Sequence, residues 1–292
     1  MKKLIIFIAV IVFSKTFFVN KGWNLLGTSD DVNVTNFDVD IVWKYKNSVW
    51  SYFSKKYNLN YKKFKTLKKG EGFWILSNKN IIFSNKKVLI LPLYFYDMDK
   101  WNKIININND EIVIINPLNG PGEAKDNNYK NLINSLVKNK KVPIGYIFTN
   151  YGKKDINDIK NQINRWINLY PKIKGFFFDE VKNGNFNYYK EIYDFIKNKG
   201  NFLVVLNVGT KPDKNYFNIA DIVVVYEGKD KEYTKFCNDF PQKSALVMFN
   251  INKEDMKNLI NAKCRYIFIN DSKINSYKKL PSYFEDEIKF LK

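Results

Sequence analysis

Histidine is absent from the chain. That absence excludes Ser-His-Asp and Cys-His catalysis and every His-ligated metal site. Any chemistry falls to carboxylates, tyrosine, lysine or asparagine. Cysteine is nearly absent: Cys237 and Cys264 are too few for a four-thiolate metal site. They allow one disulfide in an exported protein, whereas buried thiols suit a cytosolic one. Arginine is scarce as well, with only Arg165 and Arg265, although the formal net charge is +19. Nucleic-acid readers favour arginine for bidentate contacts. The excess of lysine runs through the whole chain together with Asn, Ile, Tyr and Phe, which reads as compositional bias, and no nucleic-acid partner is expected. No G-x-G-x-x-G follows the first strand of the long C-terminal region, so a nucleotide-binding open sheet has no support. Neither a metal nor another cofactor is expected.

Long apolar runs are missing too, apart from the start, "MKKLIIFIAVIVFSKTFF". Lys2 and Lys3 precede a short apolar stretch, Leu4 to Phe13, that is too short to span a bilayer comfortably. Residues 1–18 therefore read as a signal segment, cleaved or kept as an anchor, with no transmembrane domain beyond it. Such a segment places the protein outside the cytoplasm: secreted, periplasmic or at the cell surface. No cysteine follows the run, which excludes a lipid-anchored one.

What the chain does have is apolar bulk, 45% of residues, with 17% aromatic. Its pattern changes near residue 87. From 20 to 86, short aromatic segments such as "VWKY" and "GFWI" alternate between Gly, Asn and Lys clusters, the pattern of a small β module. Trp23, Trp43, Trp50 and Trp74 all fall here. The alternation suggests that they form the module's core; the other reading is a face for stacking sugars or attaching to a cell surface or matrix.

From 88 to 292 eight apolar, β-branched runs recur: 88–96, 111–117, 142–149, 173–180, 202–209, 221–228, 245–250 and 266–271. Helix-period stretches such as "DINDIKNQINRWINLY" and "NYYKEIYDFIKNKG" separate them. Parallel strands buried on both faces give such runs, and eight β-α units predict a (β/α)8 barrel in preference to an open doubly wound sheet. In that barrel functional groups stand at the C-terminal strand ends. The fourth run, "GFFFDE", ends on Asp179 and Glu180, and the sixth, "DIVVVYEG", on Glu227. Charge at the end of a buried strand is unfavourable unless used or paired. Two carboxylates across one cavity are the minimum equipment for glycosidic cleavage, one ionised and the other kept protonated by its setting. Tyr94, Tyr96, Asn116, Asn119, Asn150, Tyr151, Asn207 and Asn250 also lie at strand ends. There they suit sugar hydroxyls and ring faces, although any single Asn in so Asn-rich a chain is as well explained by loop capping.

The segments "LPLYFY", "VIINPLNGPG", "GYIFTNYGKK", "YPKIKGFFFDEV" and "ADIVVVYEG", in this order, resemble the spherulation-specific family 4 (spherulin 4-like) proteins. The resemblance covers about 88–230 well and leaves the module outside. It implies a (β/α)8 glycoside hydrolase cutting amino-sugar exopolysaccharide, notably α-1,4-linked galactosamine polymers, with Asp179, Glu180 and Glu227 at the family's acidic positions. Two departures bear on the shape of the cleft: Val208 stands where the family usually has proline, and Lys153 and Lys154 stand where an Arg is common. The expected roles are Asp179 as nucleophile or charge stabiliser, Glu227 as general acid/base and Glu180 as a tuning group, with retention of configuration. The competing expectation is a barrel that holds polysaccharide without cutting it. A third attributes function to the net positive charge, through adhesion to an anionic surface.

Overall fold

Side chains that alternate between two faces make a strand, and both halves of the chain are built on that alternation. A computed structural model of the chain describes residues 16–28, 31–37, 39–78, 81–84, 87–107, 111–273 and 277–291. They fall into two units, Met1–Lys86 and Lys87–Lys292. The expected signal segment lies outside the described residues as far as residue 15, while 16–18 already belong to a strand.

In chain order the strands of the first unit are β1 (Thr16–Val19), β2 (Gly22–Gly27), β3 (Val32–Asn33), β4 (Ile41–Lys46), β5 (Val49–Phe53), β6 (Lys62–Lys63), β7 (Thr66–Leu67), β8 (Gly72–Ser77) and β9 (Ile81–Ser84). A five-stranded sheet runs β2-β8-β4-β5-β6, and β1 pairs with β9 and β3 with β7. One face of the five-stranded sheet packs Val42, Phe73 and Ile75 with Val19, Val34, Phe37 and Leu67 into a small core. The registers Leu25↔Trp74, Trp43↔Trp74 and Tyr45↔Trp50 put the tryptophans on the other face. Trp23 is 60% and Trp50 42% exposed. The expectation that the four tryptophans form the core is therefore corrected. The strands do alternate, but aliphatic residues and Phe73 hold the inner phase, and a shift of one residue exchanges the faces.

The second unit runs β10 (Val88–Leu93), α1 (Met98–Ile105), β11 (Ile112–Ile115), α2 (Asn127–Lys138), β12 (Val142–Phe148), α3 (Ile156–Leu169), β13 (Gly175–Asp179), α4 (Phe186–Lys199), β14 (Leu203–Asn207), β15 (Ile222–Gly228), β16 (Ser244–Met248), α5 (Lys253–Leu259), β17 (Tyr266–Ile269) and α6 (Phe284–Leu291). The eight strands are parallel and close, β17 pairing with β10 through Tyr266↔Val88. This is the (β/α)8 barrel expected from the eight runs. The connections after β14 and β15 differ from expectation. They carry 3₁₀ segments, Lys214–Asn218 and Lys231–Asn238, where a helical layer was foreseen. Both connections are short, and Pro212 and Pro241 flank them, which leaves no room for a long α-helix.

Local chemistry explains the regular helices. Asp97, Asp126 and Asp155 cap α1, α2 and α3 by accepting from first-turn amides. The inner stripe of α2 is Tyr129, Leu132, Ile133 and Leu136, at helical spacing. Gly145 lets α3 close on β12: a Cβ there would come within 2.5 Å of the Trp166 ring. The Trp166 indole donates to the Tyr146 carbonyl at 3.0 Å. Cys237 and Cys264 form a disulfide with a Cα–Cα distance of 4.8 Å, resolving the alternative of buried thiols. At the N-terminal end of the strands Glu111 and Lys141 make a fully buried ion pair of 2.9 Å.

Candidate active site

Three neighbouring strands bring the carboxylates together. Asp179 ends β13, Asn207 ends β14 and Glu227 is the penultimate residue of β15. From the middle strand, the single side-chain nitrogen Nδ2 of Asn207 donates to Asp179 Oδ1 at 2.8 Å and to Glu227 Oε2 at 2.7 Å. The two accepting oxygens therefore stand no farther apart than these bonds laid end to end, about 5.5 Å. The Tyr146 hydroxyl donates to Asp179 Oδ2 at 2.8 Å, and the Glu180 amide donates to Asp179 Oδ1 at 2.9 Å. The Tyr277 hydroxyl donates to Glu227 Oε1. A bulge between Val224 and Tyr226 in the pairing of β15 with β16 resets which side the next residues face, just before Glu227.

The electrostatics of the mouth differ from those of the opposite end, where Glu111 is neutralised by Lys141. Among the described residues no lysine or arginine pairs with Asp179, Glu180 or Glu227. Their partners are neutral donors. Burial raises the Glu227 carboxyl above its ordinary value, the bonds from Tyr277 and Asn207 oppose the rise, and the charge of Asp179 adds to it. Glu180 is raised for the same first reason, burial, and then by Asp179. Tyr94, Tyr146 and Tyr277 are pushed well above the usual phenol range by burial and by the charges of Asp179 and Glu227. All three hydroxyls keep their protons, and those of Tyr146 and Tyr277 donate to the carboxylates. Their rings pack as a group, Tyr94 with Tyr277 at 4.8 Å and with Tyr146 at 5.3 Å.

Of the residues expected at the rim, Tyr94, Asn207, Asp179 and Glu227 meet in this cluster. The Tyr94 hydroxyl has no hydrogen-bond partner among the described residues. Glu180 stands beside the cluster with its backbone in the left-handed region, φ 53°. Asn119, Asn150, Tyr151 and Asn250 share that conformation, with φ of 53°, 49°, 54° and 56°. Such backbone strain collects around functional clefts, and Asn tolerates it better than most residues. Asn116 is occupied in its own loop, accepting from the Gly120 amide at 3.0 Å. Tyr96 is exposed and packs edge-on against Tyr129. Sequence reasoning missed Tyr146 and Tyr277. Tyr146 carried a signal, as the one hydroxyl inside the apolar run 142–148. Tyr277 lies in a loop and carried none.

Comparison with known proteins agrees with this architecture. The family model for spherulation-specific family 4 matches residues 88–291. Spherulin-4 of Physarum polycephalum is 33% identical over 146 residues, which cover 48% of this chain and 44% of that protein, so the chain aligns with less than half the length of this relative. Among solved structures, Sph3 of Aspergillus clavatus in complex with GalNAc superposes with a TM-score of 0.64 at 22% identity, over 70% of this chain and 97% of Sph3. The noncanonic maltogenic α-amylase AmyB of Thermotoga neapolitana gives 0.50 at 8% identity, over 70% of this chain and 75% of AmyB. At these identities the structural likeness speaks for a shared barrel fold. The family match spans nearly all of the second unit and more than half of the chain, and the chain belongs to spherulation-specific family 4.

Proposed function

We propose that the barrel is a glycoside hydrolase that cleaves an amino-sugar-containing exopolysaccharide with retention of configuration. The observation that carries this reading is the pairing of Asp179 and Glu227 on one amide nitrogen. The two oxygens held by that nitrogen lie no more than about 5.5 Å apart, and this closeness supports the short spacing of retaining pairs, about 5–5.5 Å, over the roughly 6.5–9.5 Å of inverting ones. Two further observations support it: no cation neutralises the acids among the described residues, and the similar barrel of Sph3 was solved with GalNAc.

In this mechanism Glu227, whose hold on a proton is raised by burial and by the charge of Asp179, is the acid that gives its proton to the glycosidic oxygen as the bond to the anomeric carbon breaks. Asp179, oriented by Tyr146, Asn207 and the Glu180 amide, takes the positive charge at that carbon, as nucleophile or as charge stabiliser. Glu227, now ionised, removes a proton from water as the water attacks, which restores both carboxyl groups. The free hydroxyl of Tyr94 and the ring faces of the tyrosine cluster bind the sugar. Glu180 tunes the pair. The local acidity of the mouth is what brings a cationic polymer to a chain of positive net charge.

The disulfide and the apolar N-terminal residues together support export to an oxidising compartment. No helix among the described residues is long and apolar enough to cross a membrane.

The test is incubation of the full chain with α-1,4-linked galactosaminan and with neutral polysaccharides, measuring new reducing ends and, by NMR, the anomer first released. Cleavage of the amino-sugar polymer with retention is expected. Cleavage that survives Glu227→Gln, or release of the inverted anomer, overturns the assignment. Saturable binding with no cleavage would establish a polysaccharide-holding barrel instead.

A further inference from the structure

The small core of the first unit does not explain its aromatic outer face. Trp23, Trp43, Trp50, Tyr61 and Trp74 line a cleft of about 570 Å³ on the outer face of the five-stranded sheet, within the range of about 300–1,000 Å³ of ligand sites. The rings stand at angles to one another: Trp43 meets Tyr61 edge-on at 5.0 Å and Trp50 edge-on at 6.0 Å, and Trp50 meets Trp74 at 5.4 Å with 48° between planes. Strands β2, β4, β5 and β8 fix the four tryptophans, so most of the face is formed before any ligand arrives.

The indole N–H groups add a second observation. In the barrel, Trp101 donates to the Phe95 carbonyl at 3.2 Å and Trp166 to the Tyr146 carbonyl at 3.0 Å, and both are fully buried. The four indoles of the cleft have no such partner among the described residues. The face thus offers apolar ring surfaces, and its indole N–H groups are left without a protein partner among the described residues. A saccharide presents the matching pair, C–H faces to stack on aromatic rings and hydroxyls to accept from N–H groups.

Other ligand classes fit less well. The cleft is lined by uncharged rings, whereas nucleic-acid binding draws most of its affinity from neutralised phosphates. Both arginines, Arg165 and Arg265, lie in the other unit. We infer that this aromatic face is a second carbohydrate site, built by the first unit alone, which holds a neutral or N-acetylated polysaccharide chain. The choice of polysaccharide rests on the function proposed for the barrel; the aromatic face itself does not.

The test uses the full chain carrying Glu227→Gln, so that polymer is held and not consumed. Sedimentation with insoluble N-acetylated galactosaminan and with chitin measures retention, with and without Trp23→Ala plus Trp50→Ala. The expected result is saturable binding that varies little with salt and is weakened about tenfold or more by the double substitution. Trp50→Phe should keep most of the binding, and thermal melting should be unchanged. Chains with wild-type Glu227, with and without the double substitution, should cleave a short soluble oligosaccharide at equal rates. Binding unchanged by the double substitution overturns the inference. So does absence of binding to both polymers, salt-sensitive capture of a single-stranded oligonucleotide in their place, or self-association that the double substitution abolishes. Retention through the tryptophans with no cleavage by the wild type would remove the catalytic reading and leave this one standing.

Discussion

The two units use tryptophan in opposite ways. In the barrel, Trp101 and Trp166 are sealed between helix and strand, each with its N–H on a carbonyl. In the module, Trp23 and Trp50 stand in solvent on a sheet whose core is filled by Val, Ile, Leu and Phe. A large aromatic in a core is accounted for by packing. The same residue held on an open face is not, and an apolar exposed patch of that kind marks a binding surface. Carboxylates show a parallel contrast within the barrel. Glu111 at the base is tied to Lys141 and serves the fold, whereas Asp179 and Glu227 at the mouth are held by neutral donors.

These contrasts can be broken or sharpened by substitution. The largest effect is expected at the mouth: Glu227→Gln should lower the rate of hydrolysis by about 10²–10⁴-fold or more while leaving the melting temperature in place. The pH profile of the wild type should lose activity as pH rises through the elevated Glu227 value, because the acid must carry its proton. Next comes Trp166→Ala, which should destabilise the barrel by about 3–5 kcal/mol in denaturant titration. Removing the disulfide by Cys237→Ala with Cys264→Ala should lower stability by about 3.5 kcal/mol, given the 27-residue separation.

Glu287 in α6 gives a smaller, pH-dependent effect. It is buried, Oε1 has no hydrogen-bond partner, and burial pushes its carboxyl up to about 8. Its folded-state value lies above its unfolded one, so folding favours the protonated form. That contribution is complete below the unfolded value and is lost as pH rises towards 8. Glu287→Gln should therefore raise the melting temperature at pH 9 by roughly 5 °C and change it little under acid conditions. The smallest effect should come from Trp23→Ala, within about 0.5 kcal/mol of wild type. A loss there comparable with that of Trp166→Ala would erase the contrast between the units.

Much of the barrel was legible in advance because buried parallel strands demand unbroken β-branched runs, and "FLVVLN" or "IVVVYEG" have few other uses. The carboxylates at 179 and 227 stood out because charge does not end such a run without a reason. Glu227 nonetheless needed the bulge after Val224, which no residue pattern announces. Asn207 was one rim asparagine among several until it was seen to bridge both acids from the strand between them. Asn116, the same residue type one position past the end of β11, turns back to its loop.

Periodicity and residue type, which are local properties of the chain, were enough to specify the parallel barrel, the place of its acids at strand ends and the change of architecture near residue 87. Which face of the module sheet turned inward was left to packing, because alternation sets the period of a strand and not its phase. The meeting of Tyr146, Asn207, Glu227 and Tyr277 around Asp179 was likewise settled only when the barrel closed, since these residues come from β12, β14, β15 and the segment after β17. Distances between side chains on separate strands depend on register and closure, and neither is written in any one segment.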